Sequence, residues 1–84
     1  MTTKAEIKSW LEEGKAAGAT HVIVVCDTFD WEDYPVFVSP HEDPRAVYDR
    51  YDDKNMQKVM EVYNTAMDLD AQLAEDRAWH FEAQ

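Results

Sequence analysis

The chain has 84 residues, a formal net charge of −10 and a single cysteine, Cys26. That length is one domain, residues 1–84, burying about 60–65% of its unfolded surface. One cysteine excludes an internal disulfide, and the acidity disfavours direct binding to nucleic acid or an anionic membrane, which rests on basic patches.

Residues 3–17 predict an amphipathic helix. Thr3 and Glu6 have capping-box spacing. Ile7, Trp10, Leu11 and Gly14 fall on one stripe, and Gly18 follows as a stop. Residues 20–26 predict a strand, because His21-Val22-Ile23-Val24-Val25-Cys26 is apolar and β-branched. It is apolar on both faces and calls for cover on both. Residues 35–39 predict a second strand, with Pro35 restricted to its first position or to an edge. An antiparallel hairpin is the simplest connection, through the acidic, aromatic loop 27–34.

Asp43 and Pro44 predict the N-cap and first residue of a short helix over 43–52. Residues 54–82 contain no Gly or Pro and predict one long helix, started near Asp53 or Asn55. It would reach about 43 Å at about 1.5 Å per residue. A domain of this size is only about 30 Å across. Two apolar stripes run along that helix. One holds Met56, Met60, Tyr63 and Met67, the other Val59, Val62, Ala66, Leu69 and Leu73. One can cover the sheet, and the other asks for a partner helix. The expectation is a homo-oligomer, at least a dimer, joined through residues 54–82, unless the helix breaks near Asp68–Asp70. Trp79 and Phe81 predict that the chain end docks, most simply on the neighbouring subunit. The fold class expected is α+β, a small two-layer antiparallel sheet packed against helices.

Few residues are spaced for chemistry. Asp27, Asp30, Glu32 and Asp33 crowd the loop, but a calcium loop begun at Asp27 puts Phe29 and Trp31 at ligand positions. Magnesium on Asp27 and Asp30 stays open beside a reading of these side chains as Asx-turn acceptors. His21, His41 and His80 lack zinc spacing. Cys26 lies inside an apolar strand, and the two glycines, Gly14 and Gly18, cannot make a phosphate-cradling loop. No catalytic residue and no cofactor is expected.

The basic residues are unevenly placed. Arg45, Arg50, Lys54 and Lys58 are four of eight within fourteen positions. Two predicted helix starts lie beside them. Together they suggest a pocket for a small phosphorylated ligand, with Trp31 or Tyr34 stacking on a ring. The plainer alternative pairs Arg45, Arg50 and Lys54 with Asp49, Asp52 and Asp53 on a solvated surface.

The runs ATHVIVVCDTFDWEDYPVFV and NMQKVMEVYN, with the closing RAWH, resemble a family of small proteins of phage and prophage genomes and of some bacteria. The resemblance covers nearly the whole chain and brings no functional residues with it. It implies an inhibitor of host defence that works by binding. One form is a sponge that sequesters a nucleotide-derived signal at a subunit interface. The alternative is an acidic DNA mimic that occupies a nuclease or CRISPR complex. A third reading is a small metal-dependent enzyme using Asp27, Asp30 and Asp33. With neither an apolar leader nor a membrane-length apolar run, a cytoplasmic location is expected, host cytosol if viral.

Overall fold

A computed structural model describes residues 2–82. The elements in chain order are α1 (Lys4–Ala16), β1 (His21–Asp27), β2 (Glu32–Val38), α2 (Pro44–Tyr51), β3 (Gln57–Asn64) and α3 (Leu69–Leu73). The strands form one antiparallel sheet in the order β2-β1-β3.

The first helix begins as the capping box requires. The Glu6 amide donates to Thr3 Oγ1 at 3.1 Å, and the Glu6 carboxylate reaches back toward the Thr3 amide. Ile7, Leu11 and Gly14 are its buried stripe. Helix α2 starts on Asp43, whose Oδ1 accepts from the Arg45 amide at 3.2 Å. Strand β2 begins earlier than its apolar run, at Glu32, and Pro35 sits in its middle opposite Val24. Proline is tolerated there because β2 is an edge strand.

The long helix over 54–82 does not form. In its place are a turn, a third strand, a five-residue helix and an extended tail. Asp53, Asn55 and Met56 all hold left-handed backbone, φ 55°, 53° and 61°, which no helix start can accommodate. Asp52 then ties the end of α2 to the new strand: its Oδ1 accepts from the Val59 amide at 3.0 Å, while Tyr48 donates to its Oδ2 at 2.9 Å. The apolar spacing misleads because β3 carries a bulge. Val25 pairs with Val59 but Val24 pairs with Glu61, so Met60 is an extra residue. Beyond the bulge the alternation shifts by one. Val59 and Val62, three apart, then share one face of the sheet, and Met60 and Tyr63 share the other. Spacing of three is also the mark of a helix. The overhang that asked for a partner helix disappears with the helix, and the molecule measures 31 × 27 × 21 Å.

The sheet is covered on both faces, which makes three layers rather than two. On one face Ile7, Leu11, Val22, Val24, Tyr63, Leu73 and Ala78 form a core with Trp10, Phe37, Met60 and Leu69 against it. On the other, Ile23, Val25, Val38, Val47, Val59 and Val62 pack with Tyr34, Val36, Tyr48, Tyr51 and Phe81. Gly14 lets α1 approach closely, since a Cβ there would lie 2.7 Å from Val22 Cγ2.

The tail docks on its own chain. The Val62 amide donates to the Ala78 carbonyl at 2.8 Å, and the His80 amide to the Val62 carbonyl at 3.0 Å. This closes part of the free edge of β3. The Glu82 carbonyl lies 2.8 Å from His21 Nε2 and accepts from Asn64 Nδ2 at 2.9 Å.

Candidate functional site

The turn between β1 and β2 is built by its aspartates. Asp27 Oδ1 accepts from the Phe29 amide at 2.9 Å, and Asp30 Oδ1 accepts from the Glu32 amide at 3.1 Å. Two of the three carboxylates of the metal-enzyme reading are thus holding backbone. The third, Asp33, lies beside Cys26 on β1. Burial, and then Asp33, push the Cys26 thiol up from its ordinary range. A buried protonated thiol is a poor nucleophile. Among the described residues, no three His, Cys, Asp or Glu side chains are grouped to hold one metal ion.

The same turn holds Trp31 in the left-handed region, φ 60°, and leaves Phe29 78% and Trp31 66% exposed. Met56, 60% exposed, belongs to the same end of the sheet. Thr28 joins the two turns, its amide and its hydroxyl both donating to the Met56 carbonyl, at 2.8 and 2.7 Å. Three large apolar side chains therefore stand out at one end of the molecule, flanked by Asp27, Asp30, Glu32 and Asp53 and by two cations, Lys54 and Lys58. Isolated exposed apolar residues are ordinary, but a group of them rimmed by charge is the usual mark of a contact surface.

The six residues of the expected ligand pocket do not converge within the chain. Arg45 lies over the Phe81 ring, 4.1 Å from its centroid. Arg50 is paired with Glu42 at 3.0 Å. That pair, after the Ser39 amide, holds the Glu42 carboxyl below its ordinary range. Lys54 lies in the turn before β3, where its carbonyl accepts from the Gln57 amide at 3.0 Å. Lys58 is 5.9 Å from the Trp31 centroid and pairs with Cys26, on the α1 side of the sheet. Tyr34 is on the opposite, α2 side, where its hydroxyl accepts from Gln57 Nε2. Burial pushes that phenol up from its usual range.

Besides Lys58 over Trp31, a second cation, Arg45, meets a group of aromatic rings. Arg45, Trp79, Phe81 and Glu82 line an open pocket of about 280 Å³. Tyr48 makes T-shaped contacts with both rings, at 6.2 Å from Trp79 and 5.4 Å from Phe81. Sequence reasoning identified Arg45 but not its companions, which come from the far end of the chain. Met56 was also missed; no local signal marks it.

Compared with protein-family models, with curated proteins and with solved structures, the chain matches none.

Proposed function

We propose that this is a non-catalytic binding protein that docks on a basic surface of another protein, anchored by Phe29, Trp31 and Met56. The exposed apolar group, set among Asp27, Asp30, Glu32 and Asp53 with Lys54 and Lys58 beside it, is the observation that carries this reading. Aromatic anchors give protein contacts most of their energy, while charge steers and orients the encounter. Two of the three anchors, Trp31 and Met56, sit on left-handed backbone. That conformation costs a non-glycine residue about 1–2 kcal/mol, and it persists where the surroundings impose it. A net charge of −10 favours a cationic partner surface, such as the groove of a nucleic-acid-binding protein. In the viral setting that the resemblance implies, that partner would be a host defence protein.

The test is capture at low salt followed by measured binding to the recovered basic protein. Phe29→Ala and Trp31→Ala should each weaken binding about tenfold or more without changing the melting temperature. Binding should also fall as salt rises. A partner indifferent to both substitutions, or binding insensitive to salt, would overturn the reading.

A second reading is favoured by the pocket at Arg45. A guanidinium beside Trp79 and Phe81 suits a small phosphorylated, ring-bearing ligand, the sponge function in reduced form. Calorimetric titration with a panel of nucleotide signals tests it. Saturable binding lost in Arg45→Ala supports it, and no heat from any of the panel removes it.

A further inference from the structure

The pocket beside Arg45 holds two opposite charges that do not meet. Arg45 comes from the first turn of α2, while Trp79, Phe81 and Glu82 come from the tail. Among the described residues no carboxylate lies within ion-pair distance of the Arg45 guanidinium, Glu82 included. The guanidinium is held over the Phe81 ring instead. The Glu82 main chain is pinned elsewhere, its carbonyl 2.8 Å from His21 Nε2 and accepting from Asn64 Nδ2 at 2.9 Å.

We propose that this pocket selects guanine nucleotides, with Arg45 on the phosphate, Trp79 against the base and Glu82 on the pairing edge of the base. The inference rests on the phosphorylated-ligand reading of the pocket and names the base.

Arg45 is the first reason. It stays without an acidic partner in a chain of net charge −10. The carboxylates nearest in sequence are engaged or out of reach. Asp43 Oδ1 accepts from the Arg45 amide, Glu42 is paired with Arg50 at 3.0 Å, and Asp49, one turn further on, makes no ion pair with it. A phosphate would find the fork of guanidinium donors free. The second reason is Trp79. Tyr48 packs against its ring, and the hydrogen bonds on either side, from Ala78 and His80 to Val62, fix its backbone. Even so it is 45% exposed, which leaves indole surface for a stacking base. Stacking accepts any base, so Trp79 does not choose among them.

Glu82 makes the choice. An ionised carboxylate only accepts hydrogen bonds. Guanine presents two donors side by side, N1–H and the N2 amino group, which match the two carboxylate oxygens. Adenine and cytosine each set a ring lone pair beside the amino group, and uracil flanks its one N–H with two carbonyl oxygens. The other charged neighbours of Glu82 are His80 and, beyond it, Glu75. His80 Nε2 lies 2.9 Å from Glu75, whereas its Nδ1 is 3.8 Å from Glu82 Oε2, too far for a hydrogen bond. The Glu82 side chain is 64% exposed, and both of its oxygens are open to a ligand.

The experiment is calorimetric titration of the intact protein with GMP, IMP and AMP, while the Trp79 indole N–H signal is followed by NMR. GMP should bind saturably and move that signal. AMP should bind about tenfold more weakly or worse, and IMP, which lacks the N2 amino group, should fall between them. Glu82→Gln should shrink the preference for GMP over AMP to less than about threefold, since an amide offers one donor and one acceptor. Glu75→Gln makes the same charge change on the far side of His80 and should leave the preference intact. Arg45→Gln should abolish binding of all three. GMP bound no tighter than AMP, or a preference that survives Glu82→Gln, overturns guanine selection and leaves the phosphorylated-ligand reading standing. No heat from any nucleotide of the wider panel removes both, and so does binding indifferent to Arg45→Gln. If Arg45→Gln unfolds the protein, Glu82→Gln and the Trp79 signal decide.

Discussion

The side chain of Gln72 stands in for a neighbouring strand at Asn64. Its Nε2 donates to the Asn64 carbonyl at 2.9 Å, and its Oε1 accepts from the Asn64 amide at 2.8 Å. All four atoms belong to buried residues. Gln72→Ala leaves both backbone groups without this partner and should cost about 2–4 kcal/mol. Gln72→Glu should be worse near neutral pH, because a carboxylate cannot donate to the carbonyl. Urea denaturation of the three proteins checks the order.

Gly14→Ala should destabilise, although alanine is the better helix former by about 1 kcal/mol. The added Cβ would meet Val22 Cγ2 at 2.7 Å and Phe37 at 3.2 Å. Val22 is fully buried and cannot retreat. Overpacking of this kind costs about 1–3 kcal/mol, so the net sign is a loss, read as a lower melting temperature.

Docking of the tail on its own chain makes two outcomes follow. Phe81→Ala removes the ring beneath Arg45 and beside Tyr48, and should cost about 1–3 kcal/mol, less than for a fully buried ring. The melting midpoint should also stay constant over an about hundredfold range of protein concentration; tail exchange between subunits would raise it with concentration.

Stability should fall in alkali. Burial first, then the Glu61 charge, push the Tyr63 phenol far above its ordinary value of 10.0. The hydrogen bond to Asp52 raises Tyr48, and burial raises Tyr34 and the Cys26 thiol. Each folded value lies above its unfolded one. The contribution is therefore complete below the unfolded values of 9.0 for the thiol and 10.0 for the phenols, and is lost as pH rises toward the folded values. Absorbance of ionised tyrosine should lag in the folded protein and then rise together with loss of helix signal. A chain that titrates all four tyrosines near pH 10 while still folded contradicts this.

The parts of the fold that were legible are those governed by neighbours in sequence. Thr3 with Glu6, Asp43 with Pro44, and the unbroken run from Val22 to Val25 each carry their own instruction. The stretch after Asp53 does not. Its bulge at Met60 converts a strand's alternation into helical spacing, and the left-handed turn before it is made by Asp53, Asn55 and Met56, without a glycine. The site divides the same way. The acidic, aromatic loop was visible, and so was Arg45. Phe81 reaches Arg45, and Met56 reaches Thr28, only through the tertiary path of the chain.

The central place of β1 has a consequence for how the chain is made. Its first partner, β2, follows after a four-residue turn, but its second, β3, begins thirty residues after β1 ends. Pairings of such separation form slowly. While the chain is being synthesised, the hairpin and α1 can assemble early. One edge of β1 and much of the cover for both its faces come from residues 57–81. The nascent protein thus carries an apolar strand with an open flank until residues 57–64 have been added, a state prone to pairing with other chains. The sheet is completed by residues 57–81 rather than propagated from the hairpin.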